Sequence, residues 1–112
     1  TSVRSEAALA LGKLKNPSSV PALTALLDDP DPGVRSAALV ARGRIKDRAS
    51  VPQLIAHIHD RDSNVRIGIV RTLAAIGDNR ALPAVEECTR DPFSEVREAA
   101  EEARYRLMKR NG

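Results

Sequence analysis

The fold is decided by residues 31–54, which read DPGVRSAALVARGRIKDRASVPQL. A Val-Arg pair opens an alanine-rich run, and a Val-Pro pair follows it 17 residues later. Apolar residues from Val34 to Ile45 recur at three- and four-residue spacings, which places them on one face of a helix. The stretch therefore predicts a first helix over 33–45 and a second, shorter helix over 48–59.

The same pattern recurs along the chain at a step of 31 residues. The arginine column consists of Arg4, Arg35, Arg66 and Arg97, and an aspartate column consists of Asp29, Asp60 and Asp91. Prolines at the start of the second helix align as Pro21, Pro52 and Pro83. So many coincidences at one period indicate a tandem repeat. The predicted units are 1–31, 32–62 and 63–93, followed by an unpaired helix over 94–110.

Short polar residues precede the predicted helices and suit helix capping. Asp31 is the expected N-cap of the first helix in its unit, with Pro32 at the first helical position, where the missing N–H is tolerated. The expected caps of the second helices are Asn16, Asp47 and Asp78.

Residues 29–58, DPDPGVRSAALVARGRIKDRASVPQLIAHI, and residues 60–85, DRDSNVRIGIVRTLAAIGDNRALPAV, resemble the short HEAT-like repeats of the phycobilisome-lyase type. The pattern of that family is approximately D-P-x-V-R-x-A-A-x-A-L-G-x-I-G-D-x-R-A-V-P-x-L, and the resemblance extends over essentially the whole chain. It implies an all-α, right-handed α-solenoid of about three and a half helix pairs. We therefore expect seven helices in a single domain over 1–112.

The resemblance also implies that the first helix of each pair lies on the convex side and that the second lines the concave side. Two departures from the family pattern affect the first helices. Lys46 replaces the glycine that Gly77 keeps, so we expect these two helices to end differently. Gly68 replaces an alanine, and a glycine inside a helix costs about 1 kcal/mol.

The composition excludes several classes of protein. The chain has 18 Lys and Arg against 15 Asp and Glu, and this mixture of signs is more typical of a solvated surface than of a phosphate-binding face. Cys88 is the only cysteine, so an internal disulfide is impossible and a cytoplasmic protein is indicated. No apolar run approaches the roughly 20 residues of a membrane span. Because the chain lacks an initiator Met, we expect a piece of a larger protein.

The repeated arginine needs a structural reason, because a positive charge in the first turn of a helix is unfavourable to the helix dipole. We expect each arginine to meet an aspartate of a neighbouring unit, which would form a ladder of bidentate ion pairs along the stack. The predicted ladder residues are Arg4, Asp29, Arg35, Asp60, Arg66, Asp91 and Arg97.

Sequence motifs for catalysis are absent. No phosphate-binding loop, nucleophile elbow or pair of cysteines occurs, so no catalytic residue, metal or cofactor is predicted. His57 and His59 lie two positions apart, about 200° round a helix, which does not suit a shared metal. Cys88 aligns with Leu26 and is expected to be a small buried filler instead of a nucleophile or a bilin-binding thiol.

The curvature of a solenoid creates an extended inner face, and we place the partner there. The predicted partner-binding residues are Ser18, Ser19, Ala22, Ala25, Arg48, Ser50, Gln53, Ala56, His57, Arg80, Ala84 and Glu87. The favoured hypothesis is a non-enzymatic scaffold for protein–protein interactions, with end-to-end self-association as an additional option.

Two alternatives remain open. The resemblance implies a bilin lyase or a bilin-handling chaperone, against which stands the scarcity of aromatic residues that would stack on a pigment. Backbone-type DNA binding would give an affinity that falls steeply with salt, and the mixed charge speaks against nucleic acid as the partner.

Overall fold

The computed structural model describes residues 2–14 and 17–111. Within those residues the regular structure is helical, and it alternates between longer and shorter helices. The helices are α1 (Ser2–Leu14), α2 (Val20–Ala25), α3 (Pro32–Ile45), α4 (Val51–Ala56), α5 (Ser63–Ile76), α6 (Leu82–Cys88) and α7 (Ser94–Asn111). The first helices are α1, α3, α5 and α7, and the second helices are α2, α4 and α6.

Aspartates start the helices as the sequence predicts. The carboxylate of Asp31 accepts the N–H of Gly33 at 2.7 Å, and that of Asp62 accepts the N–H of Asn64 at 2.8 Å. Each carboxylate satisfies a backbone donor that the first turn leaves without a partner. Asn16, the expected cap in the first unit, lies outside the described residues.

The second helices are shorter than predicted. The segment expected to be helical over 48–59 begins with a 3₁₀ turn, Arg48–Ser50, which Asp47 caps by accepting the N–H of Ala49 at 3.0 Å. The α-helix then starts at Val51 and ends at Ala56. In an α-helix that began at Arg48, the N–H of residue 52 would bond the carbonyl of Arg48, and Pro52 has no N–H to donate. The α-helical hydrogen bonds therefore come from donors after Pro52, and a tighter turn leads into the helix.

The ends of α3 and α5 are alike, contrary to the expectation from their sequences. Gly77 has φ 77° and Lys46 has φ 55°, so both occupy the left-handed region that favours glycine. Each residue donates its N–H to the carbonyl four positions back, Lys46 to Arg42 at 2.9 Å and Gly77 to Leu73 at 3.0 Å. Lysine therefore replaces the glycine without changing the turn.

The helices form two layers around a shared interior. Each first helix packs against the next, and each second helix packs against the first helix that follows it. The main core runs from Leu27 to Leu107, and a smaller one joins α1, α2 and α3 through Ala8, Leu23, Ala37 and Ala41. No unit buries its apolar stripe alone, as expected for a repeat protein.

The last first helix, α7, has one covered face and one exposed face. Val96, Ala100 and Leu107 are fully buried against α5 and α6. Tyr105 is 63% exposed and Met108 is 48% exposed, so neither closes the edge of the core. The outer surface of α7 remains open to a further element.

Candidate functional site

The arginine and aspartate columns meet in the structure. Arg35 donates from Nε and Nη2 to the two carboxylate oxygens of Asp60, at 2.9 and 3.0 Å. Arg66 binds Asp91 in the same way, at 2.8 and 3.2 Å. Arg4 binds Asp29 at 2.9 and 3.3 Å, with its own side chain about half exposed.

The ladder differs from its prediction in two respects. Among the described residues, Arg97 donates to the carbonyls of Asp91 and Pro92 and to no carboxylate. The three pairs that do form are not made between units. With the units as predicted, each carboxylate belongs to the same unit as its arginine, not to a neighbouring one. The link to the preceding unit is a backbone contact, since Nη1 of Arg35 donates to the carbonyl of Asp29 at 2.8 Å. Arg66 makes the same contact with the carbonyl of Asp60 at 2.7 Å. Each of these two guanidinium groups thus binds the aspartate at the end of its own unit and a backbone carbonyl of the unit before it.

The paired carboxylates also organise the chain that follows them. Asp29 accepts the N–H of Asp31, Asp60 that of Asp62, and Asp91 that of Phe93, each at 2.9 Å. Burial raises the pKa of Asp91. The hydrogen bonds from Arg66 and Phe93 lower it by more, so the pKa lies below its usual value. The ladder is therefore a structural network in which each paired carboxylate bonds both an arginine and the backbone that follows it.

The predicted partner-binding residues fall into two groups on the second-helix layer. Ser19, Ser50 and Ala84 are buried, so their prediction as partner contacts is wrong. The 3₁₀ turn points Ser19 and Ser50 inward, whereas the prediction assumed a regular helix from the start. The outward-facing set is Ser18, Ala22, Ala25, Arg48, Gln53, Ala56, Arg80 and Glu87, with His57 partly exposed.

Several of these outward-facing residues join neighbouring units. Arg80 forms an ion pair with Asp78 at 2.7 Å and donates to the carbonyl of Arg48 at 2.9 Å. Glu87 lies 3.2 Å from the Nε2 atom of His59. The bonds from Arg80 hold the pKa of Asp78 down at about 2. The polar surface of the second helices therefore contributes to the stack itself.

His57 is placed between two acceptors in this layer. Its Nδ1 atom lies 2.8 Å from the carbonyl oxygen of Gln53, and its Nε2 atom lies 3.0 Å from a carboxylate oxygen of Asp28 in the preceding unit. Burial lowers the pKa of His57, but these two bonds and the charges of Asp28 and Asp60 raise it, with a net shift above 6.5. The protonated ring is the form that satisfies both neighbours.

Between about pH 6 and pH 8, the free energy of unfolding is expected to fall by the amount that protonated His57 contributes. Because its folded-state pKa is raised, the contribution is complete below the unfolded pKa and is lost as pH rises through the folded pKa. Since the ring is partly exposed, we expect about 0.5 kcal/mol or less. Urea unfolding of the wild type and of His57→Gln at both pH values measures it. An equal pH dependence in the two proteins would contradict this role.

One buried charge was not singled out by the sequence. Arg42 is 1% exposed, and its guanidinium donates to the hydroxyl of Thr24 and, at 3.4 Å, to the side-chain oxygen of Gln53. Burial lowers its pKa below the usual value. The equivalent position in the third unit is Leu73, which is also buried. The alignment of Arg42 with Leu73 therefore predicts that the position is buried. It does not predict how the buried arginine is accommodated.

Cys88 is buried in the core, as its alignment with Leu26 predicts. It is 6% exposed, and burial, with smaller contributions from Asp91 and Glu87, raises its pKa to about 11. Because the thiolate is the reactive form, we expect maleimide to modify it about 100-fold more slowly at pH 8 than a free cysteine. Mass spectrometry of the native and the urea-unfolded protein checks this. Native modification at the rate of the unfolded chain would contradict it.

A groove of about 680 Å³ lies on the first-helix layer and crosses α3, α5 and α7. We call it the first-helix groove. It is lined by Ser36, Leu39, Val40, Gly43, Asn64, Ile67, Gly68, Arg71, Thr72, Ala75, Glu95, Glu98, Ala99 and Glu102. The middle helix, α5, contributes Gly68 and Ala75 to this lining. The groove lies on the layer that the resemblance predicts to be convex.

The chemistry of the first-helix groove changes along the stack. Val40 is 50% exposed, and Leu9 of the same repeat column is 37% exposed. The next members of that column are Arg71 and Glu102. Within the described residues, Arg71 forms no ion pair or hydrogen bond through its side chain. The groove therefore combines apolar surface, one unpaired cation and acceptor carboxylates.

Gly68 allows a close packing contact between α3 and α5 beside this groove. A methyl group at Gly68 would lie 3.1 Å from Cδ1 of Leu39, so the leucine occupies the room that an alanine would need. The groove columns differ in residue type from unit to unit. Ser36 aligns with Ile67 and Glu98, whereas Val34 aligns with three other valines, Val3, Val65 and Val96.

Metal ligands and membrane spans are not found in the described part of the chain. Among residues 2–14 and 17–111, no three His, Cys, Asp or Glu side chains come together in a way that would hold a metal ion. None of the described helices has the length and apolar character needed to cross a bilayer.

Comparison with known proteins identifies the repeat. A family model of HEAT repeats matches residues 1–60 and 25–103. A chain in the complex of CpcE and CpcF of phycocyanin lyase from Nostoc sp. PCC7120 is similar, with a TM-score of 0.80 and 32% sequence identity. The match covers 94% of this chain and 44% of that one, so this chain spans less than half of the lyase chain. No curated protein matches.

These matches correct one prediction and confirm another. The expectation that the chain is not an enzyme is contradicted, because a structure similar at 32% identity is that of a phycocyanin lyase. The predicted fold class is confirmed by the alternating helices together with the family match. The chain belongs to the HEAT-repeat family, as a right-handed α-solenoid, and it is similar to a chain of a phycocyanin lyase complex.

Proposed function

We propose that the chain is a bilin-handling module of a phycocyanin-lyase-type enzyme. The observation that carries this proposal is the 32% identity over 94% of the chain to a subunit of such a lyase. The module would bind and orient an open-chain tetrapyrrole, and the first-helix groove is the site we assign to it.

The shape and chemistry of the groove support this assignment. Its 680 Å³ lies within the roughly 300–1,000 Å³ of small-molecule sites. An open-chain tetrapyrrole combines apolar rings, pyrrole N–H donors and two propionates. Val40 and Ile67 offer apolar contact, Arg71 offers a cation for a propionate, and the carboxylates of α7 accept N–H bonds. The groove therefore matches each part of the ligand without needing aromatic stacking.

The bond to the bilin is not expected to form on this chain. Cys88 is buried, and its pKa is raised to about 11, so it offers neither access nor thiolate. The residues of the groove bind and orient, and a thiol that bonds to the pigment would come from an acceptor protein. The exposed second-helix face, with Gln53 and Ala56, stays the predicted contact surface for a protein partner.

Titration of the purified protein with phycocyanobilin tests the proposal. We expect a red-shifted or sharpened absorption band that saturates with protein concentration. Val40→Glu and Arg71→Glu, both at exposed positions, should weaken binding at least tenfold. Because neither side chain is in the core, circular dichroism should show an unchanged helix content.

A matched pair of variants on the other layer provides the control. Gln53→Glu and Ala56→Glu each add one negative charge to an exposed position of the second-helix face, as Val40→Glu does to the groove, and we expect them to leave bilin affinity unchanged. Loss of affinity in this pair alone would place the ligand on the second-helix layer. Absence of any spectral change with the wild type would sink the bilin proposal as a whole.

A further inference from the structure

A second, smaller cavity continues the first-helix groove between α5 and α7. Its volume is about 120 Å³. It is lined by Arg71, Ala74, Ala99, Glu102, Ala103 and Arg106, and we call it the arginine cavity. Arg71, Ala99 and Glu102 also line the groove, so the two spaces adjoin. Because a water molecule occupies roughly 30 Å³ in the liquid, the arginine cavity has room for a carboxylate group but not for a tetrapyrrole.

Two guanidinium groups line the arginine cavity without a bonding partner. Arg71 on α5 and Arg106 on α7 are both exposed. Among the described residues, neither side chain forms an ion pair or a hydrogen bond. Glu102 supplies the one carboxylate of the lining, and it pairs with neither arginine. The cavity therefore presents two cations against one anion, and an anionic group of a ligand would balance the excess.

Charge is distributed unevenly along α7. Glu95 and Glu98 lie in its first two turns and line the groove. Arg106 lies in its second half, and Lys109 and Arg110 follow it in a further cavity of about 350 Å³ whose lining contains no carboxylate. A ligand with both N–H donors and carboxylates is thus oriented by charge, with its carboxylates toward the end of α7.

The remaining walls of the arginine cavity are apolar. Ala74, Ala99 and Ala103 supply them, and their small side chains leave the space between the two arginines open. A propionate side chain has two methylene groups to place against alanine and a carboxylate to place between the guanidinium groups. An inorganic phosphate has no apolar part to place there, so the lining favours a carboxylate on a short aliphatic stem.

An open-chain tetrapyrrole carries two propionates, and both are ionised at neutral pH. A guanidinium group is planar and holds a carboxylate through paired N–H donors. We infer that Arg106, together with Arg71, forms a subsite that binds a propionate of the bilin. The chain therefore selects bilins with free acid groups over their esters. This inference rests on the proposed bilin-handling function, and it adds Arg106, which lies outside the groove, as a specificity-determining residue.

The dimethyl ester of phycocyanobilin separates this subsite from the rest of the groove, because it keeps the conjugated rings and lacks both charges. Absorption titrations of the full chain give the Kd of the free acid and of the ester. We expect the wild type to bind the ester roughly tenfold more weakly than the acid. Arg106→Gln should weaken binding of the acid roughly fivefold. The same variant should leave the ester affinity unchanged, since the ester has no carboxylate for the arginine to bind.

Arg104→Gln is the matched control on the same helix. Arg104 lines neither the groove nor the arginine cavity, and its guanidinium lies 3.8 Å from a carboxylate oxygen of Glu101. This variant removes the same charge and should leave both affinities unchanged. Loss of acid binding in this variant as well would show a general charge effect and overturn the subsite.

Failure of the subsite and failure of the bilin function give different results. Equal binding of acid and ester by the wild type, or equal weakening of both by Arg106→Gln, would overturn the subsite while the bilin function stands. Absence of a spectral change with either compound would overturn the bilin function and the subsite together.

Discussion

Replacement of Arg66 by alanine is expected to lower the free energy of unfolding by about 3 kcal/mol. The substitution removes both bonds to Asp91, the bond to the carbonyl of Asp60, and a cation–π contact with Phe93 at 5.5 Å. It leaves the Asp91 carboxylate, only 9% exposed, without its counter-ion. The loss of that partner in a poorly solvated place is the main source of the effect.

Urea unfolding of four proteins measures the interaction. The wild type, Arg66→Ala, Asp91→Ala and the double variant form a cycle, and the double variant should be less destabilised than the two single changes added together. Arg4→Ala is the matched control, because the Arg4 side chain is 48% exposed and its ion pair should contribute about 1 kcal/mol or less. Equal losses at Arg4 and Arg66 would show that burial does not set the strength of the ladder.

Replacement of Gly12 by alanine is expected to destabilise the chain by about 1–3 kcal/mol. A methyl group there would lie 2.6 Å from both Cα and Cβ of Ala41, so α1 and α3 would have to separate. The gain in helix propensity, about 1 kcal/mol, offsets only part of this strain. Thermal unfolding followed by circular dichroism gives the net sign directly.

The next unit supplies the control for Gly12. Gly43 occupies the same repeat column and the same distance from the end of its helix. A methyl group at Gly43 would meet only Thr72, at 3.8 Å, which is an ordinary van der Waals distance. Gly43→Ala should therefore stabilise the chain by up to about 1 kcal/mol. The same sign for both variants would show that the close approach of α1 and α3 is not the deciding factor.

The repeat made the architecture predictable. The recurrence of Val34 and Arg35 at 31 residues required stacked helix pairs, because no unit contains enough apolar surface for a core of its own. The side chains that pair were also foreseen. The backbone carbonyl of Asp29 as a partner of Arg35 was not, since a column of identical residues carries no information about main-chain acceptors.

The candidate site was less predictable, for a different physical reason. Conserved columns such as Val34 report packing, whereas groove positions such as Val40 and Arg71 differ between units and follow no local rule. Ser50 was misplaced because the 3₁₀ turn before Pro52 rotates its side chain inward. The expectation that the chain is not an enzyme was drawn from the absence of catalytic motifs, and the similarity to a phycocyanin lyase contradicts it.

The arrangement of the ladder has a consequence for how such chains can grow or shrink by gene duplication and deletion. The guanidinium groups of Arg4, Arg35 and Arg66 each find a counter-ion 25 residues downstream, before the next period begins. Excision or insertion of whole 31-residue blocks would therefore leave every internal ion pair intact. At the new junction, an arginine loses only its hydrogen bond to a backbone carbonyl of the preceding unit. Any copy of the block supplies an equivalent carbonyl.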